Sequence, residues 1–264
     1  MLNKKIVAFD LDGTLTESRQ PLSKEIARVL AILVAQKKVA VISGGSYCQF
    51  QKQFLPSWIE TVSGLSLEKA HELNTNLFLL PTSGSQIYGY DQGKDNWQIL
   101  VEEKFPVELR KKVKKVLVDL IISNDYDIPV ESYGDKIEDR GTQITFSALG
   151  QEAPLDKKKV WDSDQKKRLK IKAWLEKKIP EVEISVGGET SIDILPKGLN
   201  KAVGLQKLLN LLSQEKGDLI FVGDALFPGG NDYSVHEAGF ETIRVGGPQE
   251  ARQFIEDLLK RKIA

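Results

Sequence analysis

Several things are scarce in this chain of 264 residues. Cys48 is its single cysteine, so no intramolecular disulfide can form, which fits a reducing compartment. Net charge is missing too: 37 Lys and Arg offset 37 Asp and Glu. That balance argues against a general nucleic-acid binder or a protein drawn to acidic membranes. No apolar run reaches membrane-spanning length, and the N-terminus enters a strand without an apolar signal region, so a cytoplasmic protein without nucleic-acid or membrane partners is expected. Internal repeats and low-complexity tracts are absent as well, and the two histidines, His71 and His236, read as incidental.

What is present is a globular composition, 41% hydrophobic and 28% charged, long enough for one large or two modest domains. The chain is organised around Lys4 to Thr16, KKIVAFDLDGTLT. An apolar strand (Ile6, Val7, Ala8, Phe9) delivers Asp10 and Asp12 at its C-terminal end, and Gly13 lets the chain turn at once. Two carboxylates at about 4 Å repel by on the order of 4 kcal/mol at an effective dielectric near 20. The pair therefore calls for a cation, a proton or separated roles.

Ser23 caps an expected helix to about Gln36, with Ile26, Val29, Leu30 and Leu33 at helical spacing. Strand Val39 to Ile42 ends in Ser43-Gly44-Gly45-Ser46, a small-residue turn of the kind that offers N–H groups and hydroxyls to an anion. A third strand is expected at Asn76 to Leu80, and a hairpin from Ser85 to Tyr90 and Trp97 to Val101. From Glu102 to about Gly187 helices and short strands alternate: helix Pro106 to Ile122, strands within Asp135 to Leu149, helix Asp164 to Lys178 and strand Val182 to Val186. This reads as an inserted α+β domain, with residues 1–101 and 188–264 forming one parallel α/β sheet. That sheet is expected to resume at Ser191 to Leu195 and to continue with a helix to Leu212, strands Asp218 to Val222 and Phe240 to Val245, and helix Pro248 to Lys260.

The stretch DLDGTLT resembles the signature of the haloacid dehalogenase superfamily. Asp10 and Asp12, Ser43 with Gly44 and Gly45, Lys201, and Asp224 with Asn231 and Asp232 match its four motifs in order along the whole chain. The resemblance implies a Rossmann-like core with an inserted cap, and a reaction through an aspartyl-phosphate. Asp10 would be the nucleophile and Asp12 the general acid and base. Ser43, Gly44 and Gly45 would hold phosphate oxygens, and Lys201 would neutralise charge. Mg2+ would bind at Asp10, Asp12 (through its carbonyl) and Asp224, with Asn231 and Asp232 orienting that shell.

DGTLTESRQPLSKEI, VISGGS, GGETSIDILPKGLNK and GDALFPGGND resemble segments of the eukaryotic-type phosphomannomutase family. That likeness implies a hexose phosphate substrate contacted by Arg19, Arg140, Ser191 and Asp193. Two family arginines of the cap fall here at Gln151 and Lys158. Lysine is a point charge and glutamine carries none, so a clamp on a second phosphate is weakened. Hydrolysis of a sugar phosphate is therefore the expected outcome, with a bisphosphate-primed phosphohexomutase as the alternative. Cap-mediated dimers occur in that family; monomer and homodimer both fit this sequence, no stretch shows an apolar patch assignable to an interface, and an apolar stripe on the helix Pro106 to Ile122 serves either an interface or the cap's own core.

Overall fold

The computed structural model describes residues 3–123 and 125–260. They fall into two compact units: the first takes the described residues of 3–102, 201–228 and 232–260, and the second those of 103–200 with 229–231.

The first unit opens with β1 (Ile6–Asp10), α1 (Lys24–Val34), β2 (Lys38–Ile42), α2 (Tyr47–Gln53), α3 (Leu55–Ser63), α4 (Leu67–Asn76), β3 (Leu77–Leu80), β4 (Gln86–Asp91) and β5 (Asn96–Glu102). The second unit contains α5 (Val107–Ser123), β6 (Ile137–Asp139), β7 (Ile144–Ser147), α6 (Leu155–Trp161), α7 (Lys166–Lys178), β8 (Val182–Gly187) and β9 (Ser191–Pro196). The first unit then resumes with α8 (Lys201–Leu211), β10 (Leu219–Gly223), α9 (Tyr233–Glu237), β11 (Glu241–Arg244) and α10 (Pro248–Lys260).

In the first unit a seven-stranded sheet runs β11-β10-β1-β2-β3-β4-β5. Its strands from β11 to β3 are parallel, and β4 and β5 add the expected antiparallel hairpin. Every residue of β1 is buried because both of its faces are covered. Val7 and Phe9 pack with Leu30, Trp58 and Ile255 beneath α1, α3 and α10, while Ile6 and Ala8 pack with Leu205 and Leu208 of α8. The apolar residues Ile26, Leu30 and Leu33 of α1 lie on one face, and the Ser23 hydroxyl accepts the Ile26 N–H at 3.3 Å.

The second unit is a four-stranded antiparallel sheet, β6-β7-β9-β8. One of its faces packs Ile144, Phe146, Ile192 and Ile194 against Val113 and Leu117 of α5 and Ile171 and Leu175 of α7. Here the structure corrects the sequence reading. Ser191–Pro196 does not return to the parallel sheet; it pairs with β7 and β8, so the inserted unit runs to Asn200 rather than to Gly187. A buried Arg168–Asp162 pair at 2.8 Å ties the start of α7 to the β8–β9 hairpin, since the same guanidinium donates to the carbonyls of Gly187 (3.3 Å) and Gly188 (2.5 Å).

Candidate active site

Open parallel sheets collect ligands at the carboxyl ends of their strands. Asp10 ends β1, Ser43 follows β2, Asp224 follows β10, and Lys201 opens α8. Lys201 is 1% exposed, and its ammonium donates to Asp10 and, at 2.7 Å, to Asp232. Asp10, Asp224 and Asp232 each bring a carboxylate oxygen within 4.8 Å of the others. Burial drives the Asp10 carboxyl well above its usual range; Lys201 opposes this, and Asp232 and Asp224 add to it. Asp224 is raised by burial and by Asp232. Burial alone would lower Lys201, but Asp10 and Asp232 outweigh it and raise its pKa, so the ammonium stays charged. Three carboxylates against one ammonium leave excess negative charge in a buried space, and a divalent cation with oxygen ligands fits that donor set.

The loop after β1 is shaped for this arrangement. Gly13 has φ +91°, and a Cβ there would meet the Asp224 carboxylate at 2.6 Å. Thr14 Oγ1 donates to Asp224 Oδ1 at 3.1 Å, and the Gly13 N–H donates to the Thr16 carbonyl at 2.7 Å. Asp12 is held on both oxygens. Oδ1 accepts from the Arg19 N–H (2.7 Å) and Gln53 Nε2 (2.9 Å), and Oδ2 from Ser43 Oγ (3.1 Å) and Gln49 Nε2 (3.4 Å).

Sequence reasoning placed Asp10, Asp12, Ser43, Gly44, Gly45, Lys201, Asp224 and Asp232 in one site, and all of them lie in the first unit. The small-residue turn differs from expectation in detail. The Ser43 N–H donates to the Leu80 carbonyl and the Gly45 N–H to Ser43 Oγ, so these two donors are used within the protein. Arg19 meets Asp12 through its main chain, at φ 57°. Asn231 belongs to the second unit, where the neighbouring Gly230 forms a bridge with Val186. Gln49 and Gln53 were not foreseen; their i, i+4 spacing on α2 was the available signal.

Arg140, Ser191 and Asp193 also lie in the second unit. The face of its sheet opposite the apolar core carries Glu138, Thr145 and Asp193 in register. Thr145 Oγ1 donates to Asp193 Oδ1 at 2.8 Å. The Arg140 side chain is buried between Glu138 at 2.6 Å and Asp193 at 4.0 Å. Lys158 is turned inward, and its ammonium donates to the Gln151 carbonyl at 3.0 Å.

The family described as eukaryotic phosphomannomutase matches residues 30–261. A probable phosphomannomutase of Caenorhabditis elegans is 26% identical over 274 aligned residues, covering 98% of this chain and 96% of its own. Among solved structures, an N-terminally truncated, IMP-bound IMP-nucleotidase of Plasmodium falciparum superimposes with a TM-score of 0.74 at 17% identity, over 98% of this chain and 68% of that one. A haloacid dehalogenase-like hydrolase of Bacteroides thetaiotaomicron gives a TM-score of 0.56 at 16% identity, over 97% and 99% of the two chains. At such identities these structures speak to fold alone. Among the described residues no helix is long and apolar enough to cross a membrane.

Proposed function

We propose that this chain, which belongs to the eukaryotic phosphomannomutase family of the haloacid dehalogenase superfamily, transfers the phosphoryl group of a sugar phosphate by way of Asp10. The observation that carries this reading is the buried Lys201, joined to Asp10 and Asp232 beside Asp224. An Asp10 oxygen attacks phosphorus and the bond to the sugar oxygen breaks. Asp12 gives its proton to that departing oxygen, leaving an acyl phosphate on Asp10. Asp12, now a carboxylate, takes a proton from the next acceptor hydroxyl as that oxygen attacks, and Asp10 is released. Lys201 orients Asp10, opposes the effect of burial on its carboxyl and faces the charge of the transferring group. Mg2+, held by Asp10, Asp224 and the Asp12 carbonyl with Asp232 behind them, would offset charge on the phosphoryl oxygens. Asn231 keeps its expected place in that set through the family resemblance alone, as do Arg19, Arg140, Ser191 and Asp193 toward the sugar phosphate.

Family membership favours a second hydroxyl of the sugar as the acceptor, so the first reading is a phosphohexomutase primed by a hexose bisphosphate. A second reading, hydrolysis with water as acceptor, is favoured by Arg140, Lys158 and Gln151. The Arg140 guanidinium is ion-paired with Glu138 and Asp193, and where the resembling family has two further cap arginines this chain has Gln151, without charge, and Lys158, a point charge, so a clamp on a second phosphate is weaker. One incubation decides between them: protein, Mg2+, mannose 1-phosphate and a trace of glucose 1,6-bisphosphate, followed for hexose 6-phosphate and inorganic phosphate. Activator-dependent 6-phosphate supports the mutase, and free phosphate without it supports the hydrolase. Asp10→Asn should form neither product above background, and a variant retaining turnover would remove Asp10 as nucleophile.

A further inference from the structure

The reading above makes Asp12 a proton donor but leaves open what aims it. A carboxyl that must reach a leaving oxygen has to be held in one rotamer, and the group that holds it should be buried and held in turn. Gln53 meets both conditions. It is 4% exposed, and its amide is used at both ends. Nε2 donates to Asp12 Oδ1 at 2.9 Å and to Thr16 Oγ1 at 2.7 Å, while Oε1 accepts from Gln49 Nε2 at 2.9 Å. Thr16 Oγ1 spends its own proton on the Leu11 carbonyl at 3.2 Å, so toward Gln53 it can only accept. That fixes which end of the Gln53 amide points at the loop.

The bonds form a closed path, from the Leu11 carbonyl through Thr16 and Gln53 to the carboxyl of Asp12, the residue after Leu11. Gln53 thereby ties the Asp12 side chain to the backbone beside it. The main chain of Gln53 is fastened to the same region, because its carbonyl accepts the Leu22 N–H at 2.8 Å. A neutral amide suits this role, since it can hold the side chain without adding a further charge to the site.

We propose that Gln53 is a positioning residue that sets the side chain of Asp12 for proton transfer to the leaving oxygen. The inference rests on Asp12 acting as the general acid. Its signature is dependence on the leaving group, since 4-nitrophenolate departs without a proton and an alkoxide does not. The experiment compares kcat/KM for 4-nitrophenyl phosphate and for an alkyl or hexose monophosphate in the wild type, Gln53→Met, Gln53→Asn and Asp12→Asn, with melting curves of each. Met preserves the volume and removes the bonds; Asn keeps the amide on a shorter arm and serves if the Met variant does not fold. General acid catalysis contributes about 100-fold or more, so a misaimed Asp12 should cost about 10-fold or more on the alkyl ester. The loss on the nitrophenyl ester should stay within about 2-fold. Equal loss on both esters, or no loss on either, overturns the role of Gln53. If Asp12→Asn itself shows no leaving-group selectivity, the general-acid reading fails first and the inference falls with it.

Discussion

At the scale of single residues the site is a problem in charge. Lys201 brings one buried ammonium to a cluster of three carboxylates, and its bonds to Asp10 and Asp232 hold it protonated. The burial and mutual repulsion that raise Asp10 and Asp224 also make stability depend on pH. A carboxyl whose folded-state pKa is raised binds its proton more tightly in the folded chain. Its contribution is therefore complete below the ordinary carboxylate range and is lost as pH climbs through the raised value. Metal-free protein should lose melting temperature across that window. Mg2+ held as proposed would replace the lost protons as the balancing charge, so the shift in Tm that it produces should widen over the same window. Melting curves with Mg2+ and with EDTA, from acid to neutral pH, measure this, and a Mg2+ shift independent of pH would contradict it.

At the scale of elements, the position of Lys201 depends on how closely α8 approaches the turn after β3. Gly84, at φ +80°, lies against Gly204, and a Cβ at Gly204 would meet the Gly84 Cα at 2.6 Å and the Ser83 carbonyl at 3.0 Å. Both obstacles are backbone, so α8 itself must move. Gly204→Ala should destabilise the fold by about 1–3 kcal/mol despite the better helix propensity of Ala. It should also lower kcat, because Lys201 lies one turn away on the same helix. Urea unfolding and turnover of the one variant test both effects, and an Ala variant of unchanged stability would refute the close approach.

The elements also show what could be read from the sequence. β1 and β10 were legible because IVAF and LIFVG are apolar runs, as strands covered on both faces must be, and Asp10 and Asp224 come directly after them. β9 was legible as a strand but misplaced. Its alternation of Ser191 and Asp193 with Ile192 and Ile194 is the pattern of a sheet covered on one face, and that contrast with β1 already pointed to the second unit. The helices α3 and α4 that precede β3 had no counterpart in the sequence reading, because the run from Leu55 to Asn76 mixes apolar and polar residues without a sharp period. Gln53 could not be singled out: Gln49, Gln51 and Gln53 look alike in one dimension, and only the fold brings Asp12 to one face of α2.

At the scale of the whole molecule, the two units differ in how they are drawn from the chain. Almost all of the second is one continuous stretch with its own core between sheet and helices. A fragment of residues 103–200 should therefore fold alone and melt cooperatively, as seen by circular dichroism and amide dispersion. A fragment of residues 1–102 should not, because β1 would lose β10 from one edge and α8 from one face. A molten 103–200 fragment would show that its core is insufficient by itself.

The discontinuity of the first unit also sets an order of events during synthesis. Asp10, the proposed nucleophile, is made 191 positions before its ammonium partner Lys201, and Asp232 comes 31 residues after that. Until then a nascent chain carries Asp10 with neither Lys201 nor the neighbouring strand β10, while the continuous unit between them has already been made. On the proposed mechanism phosphoryl chemistry is thus withheld until Lys201 and Asp232 have been made, and a chain cut before them has the attacking group without the means to use it.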